Sequence, residues 1–297
     1  MTFPDRLHAA IHDKRSVVCV GIDPNYFRLP DAVVPGERNA NDAASVVDAF
    51  FAFTLGVLDA VAEYAAAVKF QSAYFEQYHA EGVEAYFSLI HEAKSRGLIV
   101  IGDAKRGDIG ATSEAYAAAH LAPLAGEDVE TPDALTVNPM LGLDTIEPFV
   151  DTAADEDKGL FVLVRTSNPG SAALQDVNLA DGRTWSEALA DQLAEVADRP
   201  ALRGRCGWSA LGAVVGATQP EQMTSLRRRL PKSPLLLPGY GAQGATAEMT
   251  RAAFENNAPA LVSASRSVLY ADGDGDWQQN IATAAKAMRD DLHRTLA

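Results

Sequence analysis

Eight short apolar runs alternate with longer amphipathic stretches along this chain, and that rhythm constrains its fold more than any other feature. The runs are SVVCVGID (16–23), AAVKFQ (66–71), LIVIGDAK (98–105), ALTVNP (134–139), LFVLVRT (160–166), LGAVVGA (211–217), LLLPGY (235–240) and ALVSASR (260–266). Most are rich in Val, Ile or Leu, which suits strands covered on both faces. Between them lie helical patterns such as 42–64, 83–97, with Gly97 as its C-cap, and 185–198. The alternation predicts an α/β fold, a (β/α)8 barrel forming a single domain over residues 1–297. The alternative is an open doubly wound sheet, but the first strand-to-helix turn, GIDPNYFRLP, lacks a GxGxxG. Two connections run long, about 24–41 and 167–210, and long loops in a compact domain often serve a site.

The chain is 47% hydrophobic over 297 residues, enough for a sizeable core. No stretch approaches the ~20 apolar residues of a membrane span. The N-terminal MTFPDRLHAAIHDKR lacks the apolar core of a secretory leader, so no membrane partner is expected. Two cysteines, Cys19 and Cys206, form no disulfide framework, which suits a reduced cytoplasm. A net charge of −15 argues against nucleic acid as a partner, because phosphates would be repelled. The acid is spread along the chain, and only seven of the 25 cations are lysine. Such a surface resembles that of proteins from a high-salt cytoplasm, where ions screen self-repulsion; the alternative is an ordinary acidic soluble protein.

In a barrel of this kind the chemistry sits where the strands end. Those ends are polar here: Asp23, Lys69, Asp103 with Lys105, Asn138, Thr166 with Ser167, Gln243 and Arg266. Asp103 and Lys105 are two apart and face one side of a strand, and Lys69 ends the neighbouring strand. In a Lys–Asp–Lys row each charge keeps its neighbour ionised. The row costs desolvation, so a structural role alone explains it poorly, although an ion-pair cluster closing the barrel end, or a solvated turn, is the alternative. PGYGAQG (238–244) is a Gly-rich loop with free backbone N–H groups, and SASRS (263–267) adds a guanidinium, so the two predict a phosphate site. The alternative for Arg266 is a surface salt bridge. Asn138-Pro139 closes its strand and shapes the pocket floor. The six histidines have no metal-ligand context, so neither a metal nor another cofactor is expected.

DAKRGDIG (103–110) matches the DxKxxD signature of the orotidine 5′-phosphate decarboxylase family. VGIDP (20–24), VKFQ (68–71), TVNP (136–139), TSNPG (166–170), PGYGAQG and SASRS resemble its other motifs, in the family's order and across nearly the whole chain. TSNPG and GDAKRGDIG look most like the longer, type 2 branch. DxKxxD alone is shared with sugar-phosphate lyases of the same superfamily; the full set is more specific. The resemblance implies metal-independent, cofactor-free decarboxylation of orotidine 5′-phosphate (OMP) to UMP in pyrimidine biosynthesis, by a cytoplasmic homodimer with shared active sites. It further implies that Asp23 and Lys69 contact the ribose, Asp103 faces the substrate carboxylate and Lys105 protonates C6. Asp108, followed by Ile109 and Thr112, would reach the neighbouring subunit's site. Ser167 would bind the pyrimidine, with Asn138 and Pro238 also against the substrate. Gln243 and Arg266 would hold the phosphate beside Ser265, with Gly241 and Gly244 letting the loop close. Tyr240 and Ser265 stand where smaller residues are frequent in the family.

Two rival readings follow from the same residues. A metal-dependent sugar-phosphate lyase needs a carboxylate ligand at the end of the second strand, where Lys69 would repel the ion. A non-catalytic nucleotide binder has little use for an alternating Lys/Asp row, which adds cost without affinity.

Overall fold

The apolar runs become eight strands: β1 Val18–Ile22, β2 Ala67–Gln71, β3 Ile99–Arg106, β4 Ala134–Val137, β5 Gly159–Arg165, β6 Leu211–Val215, β7 Leu235–Pro238 and β8 Ala260–Ala264. The computed structural model describes residues 1–124, 129–273 and 276–296. Each strand pairs in parallel with its successor, and β8 returns to β1 through Val18↔Val262, Cys19↔Ser263 and Val20↔Ala264, so the sheet closes. The expected (β/α)8 barrel is therefore the observed fold. Barrel closure buries both faces of every strand, which is why the runs carry so little polar alternation. Several strands stop two residues short of the expected C-terminal end, as at Val137, Val215 and Ala264, because the chain leaves the ladder to build the polar loops.

The helices follow the expected patterns with shifted ends. Helix Ala43–Val61 starts after Asp42, whose side chain accepts from the Ser45 N–H. Helix Trp185–Ala197 starts with a capping box between Thr184 and Glu187. Helix His79–Ser95 begins four residues earlier than expected. Its first turn contains Gly82, a weak helix former, but a Cβ there would fall 2.0 Å from the Phe75 carbonyl oxygen, so packing dictates the glycine. Gly97 follows with φ +68° and donates to the Lys94 carbonyl, the terminator that the sequence predicts.

The expectation that no stretch approaches a membrane span needs correction. Ala43–Val61 has 19 residues and a mean hydropathy of 1.7, and among the described residues it is the one helix long and apolar enough. Its apolar side chains face the barrel, with Phe50, Phe53, Val57, Leu58 and Val61 fully or almost fully buried. It lies beside helices His79–Ser95 and Trp277–Leu296, and its Asp59 pairs with Arg96 at 2.7 Å. The composition reflects a covered core helix.

Helix Phe3–Lys14 plugs the N-terminal end of the barrel. Phe3 is fully buried, meets Phe161 edge-on at 6.3 Å, and sits where a Cβ on Gly159 would lie 2.3 Å from its ring. With that end sealed, the opposite mouth is left for ligands.

Candidate active site

The mouth is organised around one carboxylate. Asp103 on β3 is 5% exposed, and both of its oxygens are fully used. Oδ2 accepts from Lys69 Nζ at 2.6 Å and from Gln71 Nε2 at 3.1 Å. Oδ1 accepts from Lys105 Nζ at 2.5 Å and from Thr136 Oγ1 at 2.9 Å. The β2–β3 register places Gln71 opposite Asp103 and Lys69 one pleat below, so three adjacent strands supply the donors.

Burial pushes the Asp103 carboxyl up, but the two ammonium charges and their hydrogen bonds together outweigh it and hold the group well below the usual carboxylate range. Burial likewise pulls Lys69 down, and the charges of Asp103 and Asp23 reverse this, leaving it above the ordinary lysine value. Asp103 and Lys69 thus hold each other ionised, as the alternation of sign predicts.

Lys105 reaches Asp103 by a route that strand alternation does not describe. Its φ is +50°, a left-handed conformation uncommon for lysine. The β3–β4 register shifts between Gly102 and Arg106, which marks a bulge at the end of β3. The Lys105 N–H donates to Thr136 Oγ1 at 3.0 Å. The bulge turns the lysine into the pocket and leaves its side chain 43% exposed, against 7% for that of Asp103.

Two joined cavities open above this row. The first, about 550 Å³, is lined by Asp103, Lys105, Asn138, Ser167 and Trp185 among others. The second, about 380 Å³, is lined by Asp23, Arg28, Ser265, Arg266 and Tyr270 among others. Lys69, Pro238 and Gln243 border both. Asp23 and Ser265 line the second cavity, and Asp23 Oδ1 and Ser265 Oγ are buried with no hydrogen-bond partner among the described residues. Arg266 is exposed and, among the described residues, pairs with no carboxylate.

The Gly-rich loop holds left-handed φ values of +115° at Gly239, +71° at Gly241 and +87° at Gly244, which only glycine adopts freely. Gly241 borders neither cavity; it makes the turn, donating to the Ala245 carbonyl at 3.0 Å. Tyr240 lines the second cavity while its hydroxyl donates to Asp291 Oδ2 at 2.7 Å on helix Trp277–Leu296. Ser265 packs against the backbone of Gly21, where a Cβ would come within 2.9 Å of its own Cβ.

Asp108, Ile109 and Thr112 border neither cavity of their own chain. Ile109 is 63% exposed, Thr112 is exposed, and Asp108 Oδ1 accepts only from the Ile109 N–H at 2.8 Å among its described hydrogen bonds. β3 ends at Arg106 and helix Gly110–Leu121 begins just after Ile109, so Asp108 and Ile109 lie in the turn between them.

Sequence reasoning assigned no role to Arg28, Gln71, Thr136 or Arg165. Gln71 and Thr136 lie inside quoted motifs, but only cross-strand register shows that they hold Asp103. Arg165, 6% exposed, grips Asp176 through Nε–Oδ1 at 2.8 Å and Nη2–Oδ2 at 2.9 Å, and so ties down the loop that carries Ser167. A charge closing the apolar run LFVLVRT was its only signal. Among the described residues, no group of three His, Cys, Asp or Glu is arranged to hold a metal ion.

The family model for the orotidine 5′-phosphate decarboxylase / HUMPS family matches residues 16–276. The orotidine 5′-phosphate decarboxylase of Rhodopirellula baltica is 40% identical, over 98% of this chain and 99% of that protein. That of Roseiflexus castenholzii is 38% identical, over 100% and 99%. The solved structure of Leishmania donovani OMP decarboxylase superposes with a TM-score of 0.74 at 30% identity, covering 99% of this chain and 98% of that one. Similarity of this degree runs end to end through sequence and barrel alike, and the chain belongs to the orotidine 5′-phosphate decarboxylase family.

Proposed function

We propose that the joined cavities bind OMP and convert it to UMP and CO2 without a metal or other cofactor. The observation that carries this reading is the Lys69–Asp103–Lys105 row beneath the first cavity, with both lysines bonded to one buried carboxylate. In the reaction the bond from C6 to the carboxylate carbon breaks, CO2 departs, and the electron pair stays on C6. The pyrimidine ring delocalises that charge poorly. The Lys105 ammonium lies where the charge grows, stabilises it, and transfers a proton from Nζ to C6. Solvent then restores the lysine's proton. Asp103 fixes the Lys105 ammonium through its Oδ1 and presents a negative charge to the departing carboxylate.

Asp23 and Lys69 serve the ribose in this reading. Asn138, Ser167 and Pro238 enclose the pyrimidine. Gln243, Ser265 and Arg266 take the phosphate, with Gly241 shaping their loop. The phosphate lies far from C6, and its binding energy orders the site for the chemical step. Asp108, Ile109 and Thr112 complete the pocket of a second subunit in a homodimer. Their outward placement supports that role, as does the apolar surface of Met140 and Leu141, each 57% exposed, beyond the Gly107–Asn138 contact. The two cysteines are free, in keeping with a reducing cytoplasm, and the acidic, Lys-poor surface suits a salty one.

Incubation with OMP, followed by the loss of its ultraviolet absorbance, tests the reading. Turnover is expected, unchanged by exhaustive chelation and abolished in Lys105→Ala without loss of the folded circular-dichroism spectrum. Activity that vanished on chelation and returned with Mg²⁺ would favour the metal-dependent lyase instead. A Lys105→Ala enzyme with near-native kcat would remove the proton-donor assignment.

A further inference from the structure

We infer that Arg28 is a second anion-binding arginine, which holds the substrate phosphate from the loop after β1 while Arg266 holds it from the end of β8. The inference rests on the assignment of the second cavity to the phosphate. Arg28 lines that cavity from the loop after β1, whereas Arg266 enters from the end of β8. Neither guanidinium has a carboxylate partner among the described residues, although acids outnumber cations 40 to 25 in the whole chain. Both guanidiniums at this cavity thus keep N–H donors available for a planar, bidentate anion.

The position of Arg28 is built. The turn Tyr26–Arg28 is fastened by Asn25, whose side chain accepts from the Phe27 N–H at 3.1 Å. Tyr26 and Leu29, on either side, are 7% and 2% exposed and anchor the turn to the core. The guanidinium stacks on the Tyr270 ring, with Cζ 4.0 Å from its centroid. Tyr270 joins the two arginines' segments. Its hydroxyl accepts from the Asn25 N–H at 2.7 Å, and its own N–H donates to the Arg266 carbonyl at 3.3 Å. One aromatic residue thus sets the stem of both cations.

The Gly-rich loop supplies the remaining wall, through Gly239, Tyr240 and Gln243. Two planar donors and an amide around one pocket suit a phosphomonoester dianion, whose three oxygens accept many hydrogen bonds. The stack on Tyr270 holds Arg28 at the cavity that both residues line.

Calorimetric titration with UMP and with uridine tests the proposal on wild type, Arg28→Ala and Arg266→Ala. Arg28 is exposed, so its alanine variant is expected to fold, and an unchanged melting temperature checks this. Arg28→Ala should weaken UMP about tenfold, the scale of one partly solvated charged hydrogen bond, and leave uridine unaffected. A UMP affinity within twofold of wild type would overturn the proposal, and so would equal losses for UMP and uridine. If wild-type protein failed to bind UMP at all, the underlying assignment of the cavity would fall first. Binding by wild type with no effect of Arg28→Ala would remove only the role of Arg28.

Discussion

Lys105 keeps a left-handed backbone because its surroundings hold it there. Such a conformation costs about 1–3 kcal/mol in a non-glycine residue and persists where neighbours over-determine it. Thr136 is the neighbour that does so: one hydroxyl accepts from the Lys105 N–H and donates to Asp103 Oδ1, and the residue is 1% exposed. Thr136→Val keeps the shape and strands a buried N–H and a carboxylate lone pair. We expect kcat to fall roughly 10- to 100-fold, as for a displacement of a catalytic group by about an ångström, with KM little changed and Thr136→Ser largely restored. Steady-state kinetics decides this; a valine enzyme within twofold of native kcat would show that Lys105 needs no such tether. Cys19 presents a second residue-scale expectation. Burial pushes its thiol up to about 12, so it remains a thiol at neutral pH and is closed to solvent. A thiol reagent at pH 8 should find at most Cys206 in the native protein and both cysteines after unfolding, and fast native labelling of two thiols would contradict the burial of Cys19.

Between β1 and β8 the seam of the barrel doubles as the floor of the second cavity. Gly21 lies in β1, and a methyl group there would press on Ser265 Cβ at 2.9 Å. Gly21→Ala should therefore cost about 1–3 kcal/mol of stability, the range for overpacking a core, and also weaken phosphate-dependent binding by moving Ser265 and Arg266. Thermal melting and UMP titration read the two effects separately; a stable variant with native UMP affinity would mean that the seam yields without cost. Element existence was readable in the sequence because Val/Ile/Leu runs, caps and Gly97 are local signals. The early start of helix His79–Ser95 was not, since Gly82 is there for its contact with Phe75, made only after folding. The apolarity of Ala43–Val61 was equally ambiguous until its neighbours covered it.

At the scale of the whole molecule, the outward placement of Asp108 leads to a test of the shared site. Lys105→Ala and Asp108→Ala proteins, each inactive, are dissociated together and reassociated. If Asp108 serves the partner's pocket, a mixed dimer collects both lesions in one pocket and none in the other. Random mixing makes about half of the dimers mixed, so about a quarter of native activity should return. No recovery, with subunit exchange shown independently, would mean that every pocket carries one lesion and that Asp108 acts within its own chain.

The β/α alternation by itself determined a parallel α/β sheet and favoured the barrel, because doubly covered strands need contiguous apolar runs, while the pairing of β8 with β1 decided closure. The order of polar strand ends likewise announced the Lys–Asp–Lys row and the cations of the second cavity except Arg28. Tertiary structure decided what depends on residues far apart meeting at atomic distance. It set the bulge that turns Lys105 inward, the Thr136 hydroxyl between lysine and aspartate, the Arg165–Asp176 clamp, and the stack of Arg28 on a tyrosine 242 positions away. Sequence spacing records which side chains share a strand or helix; hydrogen bonds across strands and contacts between loops exist only once the barrel has closed and fixed their register.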